Sequence, residues 1–377
     1  MLAEGEGFVI RDAERARPIS LSPPSRFLII RAVIKPAGSA TADSPNLPAP
    51  PGLWRALRNG VLFLAACAAG CALFGRIAPF PEVPGIFPKW SYLQRHRDSI
   101  DVLFLGSSRF YHQIIPAQFD AAVGVRSFNF GYDGMWPPES FYLLRQVLAL
   151  RPARLKWVVI DLMEINSQLD ERNNSTLRMA YWHDLAHTRI AFADILASKF
   201  HWNQKFDLLA QHGRLCFSQI LNLGRGAELL AGRLEDKKPR KKPYSWEATA
   251  GFEAGPPHGM EGTIREGFVT TVERLKKGIA PMPVRPVFRA ALQDLIAEIR
   301  GAGVEPIFVI APTINGRENF TELPSEAAVF ALNNPAEFPE LFNPDKHYDA
   351  WHLNEKGAVD FTAILAEKFN AWRKSRP

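Results

Sequence analysis

Hydrophobic and polar positions divide the chain into stretches of different character. Residues 1–52 are rich in Pro, Ala, Ser and Arg and show little sustained periodicity, as expected of a disordered tail. From Asn59 to Gly75 no residue is charged, and Val61-Leu62-Phe63-Leu64-Ala65-Ala66 opens the most apolar part. This is the short end of what a bilayer-crossing helix needs. Arg58 and Arg76 bracket it and can snorkel toward headgroups. We expect a transmembrane anchor over 53–78. A cleaved signal peptide is the rival reading, but the small residues Ala66, Ala68 and Ala69 lie inside the apolar run rather than after it. Pro79, Pro81, Pro84 and Pro88 then predict a stiff linker over 79–99.

From residue 100 to 375 the pattern alternates between two periods. Val102–Leu105 and Trp157–Ile160 are short continuous apolar runs suited to strands buried on both faces. Val125–Phe130 alternates like a strand, and Ile307–Ile310 is a further apolar run. Between and after them, 116–123, 138–150, 287–300 and 355–373 carry helical spacing, several opening on Pro or closing on Gly. Strands separated by helices predict an α/β fold, a parallel sheet with helices on both faces. The alternation breaks down over 163–283. That stretch is too long for a connection and reads as a largely helical insertion or lid.

Composition adds three points. The formal net charge is +6, and about half of it lies in the first 58 residues, so the basic balance reflects the tail as much as any binding surface. The run Lys237-Lys238-Pro239-Arg240-Lys241-Lys242 is the one concentrated basic stretch; it reads as a solvated loop, with anionic headgroups or an acidic glycan as the sharper alternative. Nucleic acid is not an expected partner. The three cysteines, Cys67, Cys71 and Cys216, cannot form a disulfide framework in the exported part. The basic flank of the apolar segment is N-terminal, which predicts a cytoplasmic N-terminus and an extracytoplasmic domain.

The candidate chemistry lies where strands end, the edge at which parallel α/β sheets bind ligands. Asp101-Val102-Leu103-Phe104-Leu105 runs into Gly106-Ser107-Ser108, and Asp349-Ala350-Trp351-His352 precedes the last helix. A serine hydroxyl needs a neighbouring base to act as nucleophile, and an imidazole needs a carboxylate to fix its tautomer. Asp349 stands three residues before His352, one turn of chain away. The expected catalytic set is Ser108, His352 and Asp349. The backbone N–H groups of Ser108 and Gly131 are the expected oxyanion donors. His183-Asp184-Leu185-Ala186-His187 has metal-ligand spacing, but a helix surface is the commoner explanation, and neither a metal nor another cofactor is expected.

These blocks resemble those of the SGNH branch of the GDSL hydrolase superfamily. Gly106-Ser107-Ser108 is similar to its Gly-Asp-Ser block, Phe130-Gly131 to its glycine block and Asp349-Ala350-Trp351-His352 to its Asp-x-x-His block. The resemblance covers roughly residues 100–370. It implies a flavodoxin-like three-layer sandwich and makes Ser108, not Ser107, the nucleophile. The resembling members are membrane-anchored extracytoplasmic acylation proteins of the kind that modify alginate or teichoic acid. The implied function is a serine esterase or O-acyltransferase acting on a cell-envelope or extracellular glycan, or on an acylated small molecule. The bilayer and a membrane acyl-donor protein are the implied partners. The family's Gly-x-Asn-Asp block is absent; Asp161-Leu162-Met163-Glu164-Ile165-Asn166 stands there instead. Asn166 and Asn129 are therefore the candidates for a third oxyanion donor, and Arg109 is a candidate substrate ligand. A non-catalytic glycan-binding or scaffold protein with a degenerate site is the alternative function.

Overall fold

A computed structural model describes residues 52–77, 80, 83, 85–163, 165–166, 177–222 and 245–376. The tail over 1–51 and the basic run 237–242 lie outside the described residues. The chain divides into two units, Met1–Arg58 and Asn59–Pro377. Gly52–Arg58, the described part of the first, supplies the opening turns of α1 (Leu53–Ile77). Leu53–Gly75 is long and apolar enough to cross a membrane. Its 23 residues would span about 34 Å as a helix, against about 30 Å of hydrocarbon.

The second unit is α/β, with a five-stranded, wholly parallel sheet. Its strands are β1 (Val102–Leu105), β2 (Ser127–Asn129), β3 (Trp157–Asp161), β5 (Glu305–Ile310) and β7 (Ala328–Ala331), in the order β2-β1-β3-β5-β7. The chain thus winds outward from β1 in both directions, and the order reverses between β1 and β3. That reversal leaves a crevice at the carboxyl ends of those two strands, where ligands bind in doubly wound sheets. A separate two-stranded parallel ladder joins β4 (Met282–Pro283) to β6 (Phe320–Thr321).

Alternation along the strands explains the two buried faces. Leu103, Leu105, Val158, Ile160, Phe308 and Ile310 share one core cluster; Val102, Phe104, Val159, Ile307 and Val309 share the other. Successive side chains point to opposite sides of a strand, so continuous apolar runs require cover on both. Helices α5 (Pro137–Ala149) and α10 (Pro286–Gly301) bury Leu143, Leu144, Leu292 and Leu295 in the first cluster. Helices α4 (Pro116–Val123) and α11 (Glu355–Lys374) bury Phe119, Phe361, Leu365 and Phe369 in the second. Pro at the first helical position starts α4, α5 and α10, where no N–H partner is lost.

Two expectations need correction. The segment expected as a linker contains α2 (Ile86–His96), whose Ile86, Trp90 and Leu93 are buried in the first core cluster. Their i, i+4, i+7 spacing puts them on one helical face, and Phe80 and Val83 are buried before it. The stretch 163–283 is not an independent insertion. Met179 and Tyr181 of α6 (Leu177–Tyr181) and Leu215 of α8 (Trp202–Ile220) are buried in the first core cluster, and α7 (Leu185–Ala197) packs against α8 and α10. Its second half also joins the main body: α9 (Gly262–Lys276) buries Phe268 and Val272 in the same cluster as α11, and Ala250 carbonyl accepts from Asn129 N–H beside β2.

Candidate active site

At the end of β1 the chain must turn beneath a neighbouring strand. A Cβ on Gly106 would stand 2.5 Å from the Asp161 Cβ, so only glycine allows β1 and β3 to approach this closely where they end. Ser107 then caps the one-turn helix α3 (Ser108–Tyr111) by accepting from Arg109 N–H. Its hydroxyl donates to Asp161 Oδ2 at 2.6 Å, and the side chain is fully buried. Ser107 is thereby consumed in holding the turn. Ser108, the next residue, is only half-buried, and its Oγ lies 2.7 Å from His352 Nε2.

The predicted base, His352, comes from a loop pinned at both ends. His347 bridges Leu353, Asn354 caps α11 by accepting from Gly357 N–H, and Asn354 Nδ2 donates to the carbonyls of His258 and Asp345. Within the loop, Asp349 Oδ1 accepts from the N–H groups of Trp351 and His352 at 2.7 and 2.8 Å. This is a side-chain turn, and it folds the segment until the His352 ring meets its own carboxylate. Both Asp349 oxygens lie 2.9 Å from His352 Nδ1. A carboxylate on that side requires the proton on Nδ1, which leaves Nε2 as the acceptor facing Ser108 Oγ–H. The Tyr348 ring stacks on the imidazole at 5.3 Å, 4° from parallel.

Burial pushes the Asp349 carboxyl up, but the hydrogen bond and charge of His352 and the two backbone donors outweigh it and hold the group below the usual carboxylate range. The folded-state value is depressed, so the stabilisation is complete above the ordinary value of about 4 and is lost as pH falls through the lower folded one. Asp349→Asn should therefore unfold at lower denaturant than the parent at neutral pH, the two midpoints converging in acid. A gap constant down to acid pH would contradict this origin.

Four other predicted residues are placed differently from the sequence expectation. Gly131 N–H donates to Asn129 Oδ1 at 2.9 Å, so this amide is already engaged and is not an open oxyanion donor. Asn129 uses both amide hydrogens on the carbonyls of Phe110 and Ile114, at 2.6 and 2.9 Å. Asn166 faces the start of α10, donating to Pro283 carbonyl and accepting from Arg285 N–H. Arg109 is 1% exposed and reaches Asp161 at 3.2 Å and Glu318 at 2.6 Å, a buried ion-pair network rather than a substrate ligand. Ser108 N–H is the one predicted donor with no intramolecular acceptor among the described residues.

His183 and His187 do not converge either. His183 precedes α7, while Asp184 caps that helix. The rings are buried, not on the helix surface: His183 meets Met179 carbonyl and His212, and His187 meets Asp184 and Arg145. Among the described residues, no three His, Cys, Asp or Glu side chains are grouped to hold a metal ion.

The structure also brings in groups that the sequence reading passed over. His112, four residues after Ser108, sits edge-on to His352 with ring centres 6.5 Å apart. Its Nδ1 faces Glu253 carbonyl at 2.7 Å and its Nε2 faces Asp133 Oδ1 at 3.0 Å. Burial lowers its pKa, but these two acceptors outweigh burial and raise it. The i+4 spacing from Ser108 was the available signal, since one helical turn aligns the two.

Lys89, on α2, is fully buried. Its ammonium donates to the carbonyls of Asn129, Gly131 and Gly251 at 3.1, 2.6 and 2.7 Å, and lies 3.8 Å from the centre of the Tyr111 ring. Burial pushes its pKa well down, against the pull of Glu253 and Asp133. Lys89→Met would strip three buried carbonyls of their donor. We expect a stability loss of about 2–3 kcal/mol, read from the urea midpoint; a shift within error would show that other donors replace the ammonium.

No family model matches the chain, and no curated protein matches it.

Proposed function

We propose that the chain is a membrane-anchored serine esterase or O-acyltransferase of the SGNH type, acting outside the cytoplasm on acyl esters of a cell-envelope or extracellular glycan. The observation that carries this reading is the 2.7 Å approach of Ser108 Oγ to His352 Nε2, with both Asp349 oxygens behind Nδ1. In the reaction, Ser108 Oγ attacks the acyl carbonyl while its proton passes to His352 Nε2. Asp349 holds the imidazolium that forms. The carbonyl oxygen gains charge beside Ser108 N–H at the start of α3. Collapse expels the alcohol, which takes the proton from His352, and leaves an acyl ester on Ser108. Water or a sugar hydroxyl, deprotonated by the same imidazole, then takes the acyl group and restores the serine.

A fluorophosphonate probe tests this directly. It should label the folded chain, with the adduct mapped by peptide mass to Ser108; absence of labelling would overturn the enzyme reading. That outcome would favour a glycan-binding or scaffold protein, for which the engaged donors at Asn129, Gly131 and Asn166 are the supporting observation. The orientation has its own test. A reporter active only outside the cytoplasm, fused after Pro377, should be active, and a cytoplasmic signal would sink the topology.

A further inference from the structure

Helix α8 carries an apolar stripe that the described residues leave uncovered. Trp202, Phe206, Phe217 and Ile220 are 74, 71, 59 and 47% exposed. At 100° per residue they fall within one sector of the helix, and Gly213 lies between them. The buried face of α8, with His212, Leu215 and Cys216, is a different sector, and Asn203, Asp207 and Arg214 occupy a third. Leu196, in the last turn of α7, and Phe200, just before α8, are exposed apolar residues next to its Trp202 end in the chain. A helix packed on its own protein needs one apolar face; this one has two.

The other end of the stripe meets the anchor. Asn222, two residues past α8, donates its amide to the Cys71 carbonyl of α1 at 3.0 Å. Cys71, Phe74 and Gly75 are partly covered there, while the preceding turns of α1 are exposed. Cys71 stands four residues inside the Gly75 end of the membrane-length segment, about 6 Å along the axis. An amphipathic helix lying in a bilayer surface is immersed by about 5–10 Å, with Trp and Phe at the boundary.

We propose that α8 is a second membrane element, lying in the plane of the bilayer surface beside the exit of α1 with Trp202, Phe206, Phe217 and Ile220 in the acyl boundary. This rests on α1 crossing the membrane. The catalytic domain is then held to the bilayer at two places, and its orientation to the surface is fixed rather than free. The occupant of the stripe is lipid, not a second copy of the chain.

The test uses the full chain in nanodiscs, one chain per disc. The three native cysteines are replaced by serine, and single cysteines at Phe206, Phe217, Gln211 or Leu64 carry an environment-sensitive fluorophore. Lipids spin-labelled near the headgroup should quench the probes at 206 and 217 about two-fold or more and leave the polar-face probe at 211 unchanged. Lipids labelled deep in the acyl chain should quench the probe at 64. Quenching at 64 without quenching at 206 and 217 overturns the proposal, whether the stripe is then covered by protein or by nothing. No quenching at 64 would instead overturn the anchor reading. Equal quenching at 206 and 211 would overturn the proposal for α8, because the stripe would not be the embedded face. If the 206 probe responds only in discs loaded with several chains, a second copy is the occupant and the lipid proposal fails.

Discussion

Ser108→Ala is expected to lower ester hydrolysis by about three orders of magnitude or more, with the fold intact. The loss should fall on kcat, because the hydroxyl forms its new bond only in the reaction. Ser107→Ala gives the contrasting result. Its hydroxyl is buried against Asp161 and never meets His352, so this change should cost stability through the lost hydrogen bond while retaining fluorophosphonate labelling. Labelling lost in Ser107→Ala but kept in Ser108→Ala would reverse the assignment. Asp349→Asn should reduce kcat strongly without preventing substrate binding, since an amide no longer enforces the Nδ1–H tautomer that leaves Nε2 to accept the serine proton.

The second large effect is on stability. Arg109→Leu should destabilise the protein by about 3–5 kcal/mol, because it abandons Asp161 and Glu318 as buried carboxylates without their cation. Both carboxylates are 1% exposed, so water cannot take over. Urea denaturation would read the change, and a loss below about 1 kcal/mol would show that the network matters little. For the molecules that do fold, KM should change less than kcat. Arg109 is too deep to touch a substrate, but Asp161 also holds the Ser107 hydroxyl, and the turn that aims Ser108 depends on it. A large rise in KM alone would restore a substrate-binding role to Arg109.

The parts of the fold legible in the sequence were those with one clear period. The runs Val102–Leu105 and Trp157–Ile160 suited strands covered on both faces, and helices opening on Pro116 and Pro286 fell within a residue of expectation. β7 was missed because Ala328-Val329-Phe330-Ala331 is short and the chain around it has no alternation to extend it. Helix α2 was hidden by the neighbouring prolines, although Ile86, Trp90 and Leu93 already marked an apolar face. At the site, Asp349 and His352 were visible because they stand three residues apart, and Ser108 because a glycine and two serines end an apolar run. The engagements of Asn129, Gly131 and Arg109 were not. Each depends on partners brought together by tertiary packing, and a sequence pattern does not say whether a donor has already been taken. His112, Lys89 and Glu253 reach the same corner from three separate segments, for the same reason.

The burial of Phe80 and Val83 has a consequence for reach. Helix α1 ends at Ile77 and the body of the domain begins at Phe80, so the chain between them can extend by only about 10 Å. With α1 in a bilayer, this is a short leash and not a swinging arm. Ser108 would sample a thin layer next to one leaflet, and a polymer anchored farther out would have to be brought down to it. Lengthening the chain between Ile77 and Phe80 would then change which acceptors are reached without altering a residue of the site.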